Sequence, residues 1–322
     1  MRVAFIGLGR RSVGHLRRVH AMEGVKIVGV CDLLPELAET RAKEFNSRAF
    51  TDASAMLAQT EAEAAIVTLP PFAHGGAEEA CLTAKVPFLL EKPVHLDIVA
   101  ARRIADRVAA QGLVTSVGYQ ERYLDIVERL EEAVRGRSVG IVFGQWMGGS
   151  PGGWWVRRDR SGGQAVEQTT HVFDLARHLF GPARRVFASG VRGILPSDGG
   201  RDIEDASAAT VEFASGVVAV ITSACYLQVR ELVPGGLEVF CRDANIRYVR
   251  RRSLTVATAS GSETWTTAND SETAMLTDFL RAVRSGDPKA VRCPYAAGVE
   301  AVELSLAVNR ALETGAPVSL PL

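Results

Sequence analysis

The stretch VPFLLEKPVHLD, Val86 to Asp97, carries an apolar run into Glu91 and Lys92 and stops at Pro93. A lysine where a buried strand should end is one of two things. It is a surface cation snorkelling over apolar neighbours, or it is the working end of a site. In an open parallel sheet, ligands bind beyond the carboxyl ends of the strands. An ammonium group there can hydrogen-bond a substrate hydroxyl and stabilise alkoxide character on its oxygen as a hydride leaves the carbon. Pro93 stiffens the turn and is a candidate for a cis bond.

A second stretch points to what would accept that hydride. Gly7-Leu8-Gly9-Arg10-Arg11-Ser12 falls between a first strand and a first helix. A dinucleotide fingerprint has glycine at the first, third and sixth positions of such a run. The first permits the tight turn, and the second lets a pyrophosphate approach the backbone at a helix N-terminus. Here the sixth position is Ser12, which is small and is expected to cap the helix. Asp32 ends the second strand. A carboxylate there accepts hydrogen bonds from ribose hydroxyls and repels a 2′-phosphate, which favours NAD over NADP. Arg10 and Arg11 pull the other way, because either can meet a 2′-phosphate.

A third group lies further on. Glu167, His171, Asp174 and His178 fall at i, i+4, i+7 and i+11, which predicts one helical stripe. His171 suits a general base that takes a hydroxyl proton. Two histidines and two acids also suggest a metal site, but four ligands along one straight helix spread too far for a single ion. No metal is therefore expected. The structural reading, hydrogen-bonded polar residues at an interface, fits His178 and Asp174, and also His20 and His95. Between Gly148 and Gly163, flexible glycines surround Trp154, Trp155, Arg157 and Arg158. That composition suits a lid that stacks on a sugar or pairs with a carboxylate, or else a surface loop whose tryptophans pack at a subunit interface.

These residues need a scaffold. Up to about residue 120 short apolar runs alternate with amphipathic segments. Strands are expected over Val3–Gly9, Lys26–Asp32, Ala64–Pro70, Pro87–Lys92 and Leu113–Tyr119. Helices are expected over Ser12–Met22, Pro35–Phe45, His74–Lys85 and Ile98–Gln111. This is the pattern of an α/β, doubly wound Rossmann sheet covered on both faces. Beyond residue 120 come a helix, a strand around VGIVFGQW, a helix over VEQTTHVFDLARHLFG, and strand-like segments from Arg184 to about Thr267. Two helices close the chain. The second part thus reads as an α+β domain with an open, mostly antiparallel sheet. The expected division is 1–120, a nucleotide-binding domain, and 121–322, a substrate-binding and oligomerisation domain.

Composition sets limits. The chain has 322 residues, with 37 Lys plus Arg against 37 Asp plus Glu. A net charge near zero gives no global attraction to nucleic acid or an acidic membrane. The five cysteines show no C-x-x-C, so neither a disulfide framework nor a zinc ribbon is expected. Reduced thiols and the absence of a signal-like N-terminus are read as cytoplasmic. No stretch approaches a transmembrane length.

Taken together, these residues resemble the glucose–fructose oxidoreductase / inositol dehydrogenase / MocA-like (Gfo/Idh/MocA) dehydrogenases over nearly the whole chain. The markers are the glycine loop with His15, Thr68-Leu69-Pro70-Pro71 with His74, Glu91-Lys92-Pro93, Val117-Gly118-Tyr119-Gln120-Glu121-Arg122-Tyr123, and Gly162-Gly163 leading to Glu167 and His171. The C-terminal Glu313-Thr314-Gly315 and Pro317-Val318 also fit. The chain departs from the family at Ser12 for glycine, Gln120 for asparagine, Glu167 for aspartate and Thr169 for glycine. Glutamate is one methylene longer than aspartate, so its contact point shifts. The resemblance implies an NAD-dependent dehydrogenase acting on a sugar, cyclitol or polyol, with NADP the lesser alternative. It implies Lys92, His171 and Glu167 as catalytic residues. Beside the glycine loop and Asp32, it implies Thr68, Pro70, His74, Glu91, Lys92 and Gln120 at the cofactor, and Tyr119 beside Trp154, Trp155 and Arg157 at the substrate. A homodimer or homotetramer through the second sheet is also implied. A non-catalytic nucleotide-binding sensor or scaffold is the alternative of a different class, and reduction of an imine or conjugated double bond is an alternative within the enzymes.

Overall fold

The structure is a computed structural model that describes residues 1–197, 200–229 and 235–322. The chain forms two compact units, residues 1–120 with 271–299, and residues 121–270 with 300–322. The sequence suggests one boundary near residue 120. In the structure the chain leaves the first unit there, returns at Ser271 and leaves again after Val299. Long-range pairs inside that unit hold the returning segment. Glu272 binds Arg11 and Arg18, and the Cys293 carbonyl accepts the Val117 N–H.

The first unit is a six-stranded parallel sheet of β1 (Arg2–Ile6), β2 (Lys26–Cys31), β3 (Arg48–Phe50), β4 (Ala64–Val67), β5 (Phe88–Leu90) and β6 (Thr115–Val117). The order β3-β2-β1-β4-β5-β6 reverses direction at β1 and β4. That reversal leaves a crevice outside the carboxyl ends where a dinucleotide binds. The connecting helices are α1 (Arg10–His20), α2 (Pro35–Glu44), α3 (Ala53–Thr60), α4 (Gly76–Ala84) and α5 (Ile98–Gln111). Val3, Ala4 and Phe5 of β1 and all of β4 and β5 are buried, as parallel strands covered on both faces must be. β3 and α3 are absent from the sequence-based reading. β3 is a three-residue edge strand, and α3 is a short helix with weak apolar periodicity. Its one local start signal is Asp52, whose side chain accepts the Ala55 N–H.

The second unit begins with α6 (Asp125–Val134) and β7 (Val139–Met147). Three helical segments follow, α7 (Arg158–Ser161), α8 (Gln164–Glu167) and α9 (Thr170–Phe180). Then come β8 (Ala183–Val191), β9 (Ala206–Phe213), β10 (Val218–Ala224), β11 (Gly236–Cys241), β12 (Ala244–Val249), β13 (Ser253–Thr258) and β14 (Gly261–Thr266). α10 (Ser271–Ser285) belongs to the first unit, α11 (Tyr295–Thr314) runs on into the second, and β15 (Val318–Ser319) ends the chain. The nine-stranded sheet has the order β14-β13-β12-β11-β7-β10-β9-β8-β15. Its neighbours are antiparallel except β7 with β10. Val142, Val186, Val211 and Ile221 turn to the covered face, while Phe143 and Phe187 stay exposed on the other. α9 packs against β7, where a Cβ on Gly144 would come within 2.8 Å of Val172 Cγ1. Glycine at that position is what lets the helix carrying His171 lie this close to the sheet.

Candidate active site

Register aligns the first group of residues. Ile6 pairs with Cys31 and Val67, Val67 with Leu90, and Leu90 with Val117. The residues one step beyond, Gly7, Asp32, Thr68, Glu91 and Gly118, therefore stand in one row at the carboxyl edge. The ladder extends into that row, with Gly7 N–H on the Cys31 carbonyl at 2.8 Å, Thr68 on Ile6 at 2.8 Å, Glu91 on Val67 at 2.9 Å and Gly118 on Leu90 at 2.8 Å. Gly7 has φ +84°, and a Cβ there would lie 2.8 Å from the Thr68 carbonyl oxygen. The Thr68 hydroxyl donates to the Gly7 carbonyl at 2.6 Å, closing β1 onto β4 at the crevice.

The glycine loop fits a dinucleotide. Gly9 is the N-cap of α1 and no side chain caps that helix. A Cβ on Gly9 would meet no protein atom, so a pyrophosphate can approach the backbone at the helix N-terminus. Ser12 does not cap the helix, as the sequence suggests. It lies inside the first turn, fully buried, and its hydroxyl donates to the Gly9 carbonyl at 2.8 Å. Asp32 Oδ2 accepts the Leu8 N–H at 2.8 Å and Oδ1 the Leu34 N–H at 3.0 Å. A carboxylate has about four lone-pair sites, so Asp32 ties the loop in place and keeps acceptors for ribose hydroxyls. Arg10 is exposed at the start of α1.

Arg11 corrects an expectation. It does not reach outward for a 2′-phosphate. Its Nε donates to Glu91 at 2.7 Å, its Nη1 to Glu272 at 2.6 Å and its Nη2 to Gln120 Oε1 at 2.5 Å. His15 Nε2 sits 2.7 Å from the same Glu91 oxygen and is itself fully buried. Burial alone would raise the Glu91 carboxyl. The His15 hydrogen bond and the Arg11 charge outweigh it and hold the group at about 2. Gly118 is required beside it, since a Cβ there would stand 2.9 Å from Glu91 Oε2 and 3.2 Å from its Cα. Glu91 and Gln120 are thus the buried support of the loop that Lys92 extends. Lys92 follows partly buried, with a cis peptide bond to Pro93 as the sequence suggests.

The depressed Glu91 carboxyl has a sign that can be checked. Its folded value lies below the ordinary 4.5. The stability it contributes is present above that value and is lost as pH falls from 4.5 towards about 2. Full loss corresponds to on the order of 3 kcal/mol. Glu91→Gln is expected to lower stability at neutral pH by a similar amount, because Arg11 and His15 lose a charged partner. The variant should also flatten acid denaturation in this window. Denaturant melts of both proteins at pH 7 and pH 3 test this, and equal differences at the two pH values would count against it.

His74 is buried, with Nε2 3.0 Å from the Leu69 carbonyl and Nδ1 3.2 Å from Glu78. It braces the Thr68–Pro70 turn from inside. Glu78 is fully buried and also accepts the Gly75 N–H at 2.8 Å. The i, i+4 spacing of His74 and Glu78 is visible in the sequence, yet Glu78 is missing from the expected site. Tyr119 is a second correction. It is only 1% exposed, so its ring belongs to the core and offers no face to a substrate.

The second unit carries the other group. The expected single helix from Val166 to Gly181 is two segments. α8 ends at Glu167, and α9 begins at Thr170 after a break at Gln168 and Thr169. Glu167 and His171 therefore do not lie on one continuous helical stripe. The Thr169 N–H turns back to the Gln164 carbonyl at 3.0 Å, and the Val172 N–H starts the next helix on the Thr169 carbonyl at 2.8 Å. Asp174 and His178 have structural partners. Asp174 takes a two-point hydrogen bond from Arg122, at 2.9 and 2.5 Å, with both side chains buried, and His178 Nε2 lies 2.9 Å from Glu131. His171 stacks on Trp146, ring centroids 5.5 Å apart and planes within 16°. Among the described residues no group of three or more His, Cys, Asp or Glu side chains is placed to hold a metal ion.

The Gly148–Gly163 stretch is pinned at several points. Arg158 Nη2 grips Glu204 at 2.6 and 2.5 Å, the Arg158 N–H binds Asp202 at 2.6 Å, and Asn309 donates to the Gly162 carbonyl at 2.5 Å. Trp154 and Trp155 stack on one another at 4.5 Å. Arg157 is exposed and pairs with Asp159. No helix among the described residues is long and apolar enough to cross a membrane.

Comparison with known proteins agrees with this fold. Residues 1–119 match the family model described as an oxidoreductase family with an NAD-binding Rossmann fold. Residues 134–247 match the GFO/IDH/MocA C-terminal domain. The chain is similar to myo-inositol 2-dehydrogenase of Thermotoga maritima, 25% identical over 99% of this chain and 98% of that one. It is also similar to scyllo-inositol 2-dehydrogenase (NAD(+)) of Bacillus subtilis, 26% identical over 99% and 96%. In fold it matches a levoglucosan dehydrogenase solved with NADH and levoglucosan, with TM-score 0.89, 20% identity and all of both chains covered.

Proposed function

Because this chain belongs to the Gfo/Idh/MocA oxidoreductase family, whose N-terminal domain is an NAD-binding Rossmann fold, we propose that it transfers a hydride between nicotinamide and a secondary alcohol or ketone of a sugar, cyclitol or related polyol. It is a sugar or polyol oxidoreductase acting on CH–OH groups with NAD. Bound NAD supplies the hydride acceptor. Gly7, Gly9 and the first turn of α1 hold the pyrophosphate, and Asp32 reads the ribose. Oxidation takes a hydride from carbon and a proton from the hydroxyl oxygen. His171 takes that proton as general base. Lys92 is the hydrogen-bond donor that stabilises alkoxide character on the substrate. Glu167 orients the substrate. The observation that supports this most is the carboxyl-edge row, in which the Glu91 network fixes the residue before Lys92.

Calorimetric titration of the nucleotide-free protein with NADH and NADPH, followed by NAD reduction with myo-inositol, scyllo-inositol and levoglucosan, tests the reading. Tight NADH binding without turnover of any polyol would favour the sensor alternative. Asp32→Asn is expected to narrow the preference for NADH over NADPH by about tenfold, since it removes the charge that repels a 2′-phosphate. An unchanged ratio would show that Asp32 does not set cofactor choice.

A homodimer or homotetramer through the nine-stranded sheet is part of the proposal. The open face carries the exposed side chains Ile141, Phe143, Phe187 and Val191, and Phe143 packs edge-on to Phe240 at 5.6 Å. An apolar sheet face of this kind marks a protein–protein contact. Mass determination by light scattering decides it.

A further inference from the structure

Trp146 stands on β7 in contact with two other side chains, His171 and Arg250. The His171 imidazole is stacked on it at 5.5 Å, with the planes within 16°. The Arg250 guanidinium carbon lies over the indole ring at 3.9 Å from its centroid. Arg250 is anchored in turn. Its Nε donates to Glu121 Oε1, and its backbone N–H donates to the Gly235 carbonyl at 2.8 Å. Glu121 is buried, and its Oε2 accepts the Tyr248 hydroxyl at 3.0 Å. The indole is therefore backed by Arg250, a partly exposed side chain that is anchored on buried Glu121.

We propose that Trp146 is a positioning residue, braced by Arg250, that fixes the plane of the His171 ring and so the direction in which that ring takes the substrate proton. The proposal rests on the reading of His171 as the base. Two contributions from Arg250 can be separated. Its positive charge would disfavour a second cation nearby, but the Glu121 carboxylate on the same guanidinium offsets that charge. What remains is a flat, anchored surface over the indole, which a stacked guanidinium supplies and an ammonium does not. A stacked neighbour restrains rotation of the imidazole about its bond to Cβ, and a proton acceptor misplaced by about 1 Å costs on the order of a hundredfold in rate.

The test uses the full chain, with Trp146→Leu, Trp146→Phe, Arg250→Lys and His171→Asn compared with the unsubstituted protein. Selective labelling of the histidines, six in the chain, lets His171→Asn assign the His171 ring resonances. Those resonances should show an upfield ring-current shift that is lost in Trp146→Leu and partly kept in Trp146→Phe. With myo-inositol as probe, kcat should fall about 30-fold in Trp146→Leu. KM and NADH affinity should stay within about twofold, and Trp146→Phe should recover most of the rate. Arg250→Lys keeps the ion pair with Glu121 and should cost about threefold in kcat through the looser stack. His171 resonances that do not move in Trp146→Leu would overturn the proposal, as would a kcat left unchanged in both Trp146→Leu and Arg250→Lys. If His171→Asn itself keeps full turnover, the base reading fails, whatever the stack does. If His171→Asn is inactive while Trp146→Leu is fully active, only the positioning role fails.

Discussion

Lys92→Met is expected to lower kcat for polyol oxidation about a thousandfold while NADH affinity stays within about twofold. Removing one donor from a developing oxyanion costs roughly two to three powers of ten in turnover. Methionine keeps an unbranched apolar stem close to that of lysine but cannot donate a hydrogen bond. The fold should tolerate the change. The buried carboxylate next to Lys92, Glu91, keeps Arg11 at 2.7 Å and His15 at 2.7 Å in the variant. Calorimetry with NADH and steady-state NADH formation from myo-inositol separate binding from chemistry. Turnover that survives intact would remove Lys92 from the reaction.

His171→Ala carries the second large effect. Loss of a positioned general base lowers turnover by about a hundredfold to ten-thousandfold. Alanine also vacates the space beside Trp146 that the imidazole occupies. Free imidazole added to the variant should therefore restore part of the rate in a concentration-dependent way. The ion pair from Asp174, on the same helix, to Arg122 is untouched, so thermal unfolding should shift by only a few degrees. A variant that loses activity together with its cooperative melt would point to a structural role. A stable variant with full activity would place the base elsewhere.

These two expectations depend on supports of different kinds. Lys92 rests on a charged network confined to the first unit, and His171 on a π-stacked arrangement confined to the second. High salt should affect neither strongly, because Glu91, His15, Arg122 and Asp174 are all buried and poorly screened.

The parts of this protein whose physics is local can be read from the order of its residues. Continuous apolar runs of four to seven residues predict β1, β2, β4 and β5, since both faces of a parallel strand are covered. Gly7 and Gly9 announce the loop, and Asp32 the strand end that meets it. The succession of strand-like segments from Arg184 to about Thr267 predicts an antiparallel sheet. Even the structural status of His178 follows from how ordinary such a residue is on a helix. Tertiary structure alone decided the rest, because the deciding partners are far apart in the chain. Arg11 is withdrawn from the cofactor question by Glu91, Gln120 and Glu272, which lie 80, 109 and 261 residues away. Tyr119 is taken into the core by packing that no local pattern encodes. The break between Glu167 and His171 overrides a helical periodicity that runs through it, because the Thr169 N–H bonds back to Gln164 and its carbonyl starts a new helix. Trp146, Arg250 and Glu121 have no spacing to link them and meet only when β7, the end of β12 and the segment after β6 are folded. Residue types announce which chemistry is available, whereas the hydrogen bonds, stacking and burial that select among those residues exist only once the strands are in register.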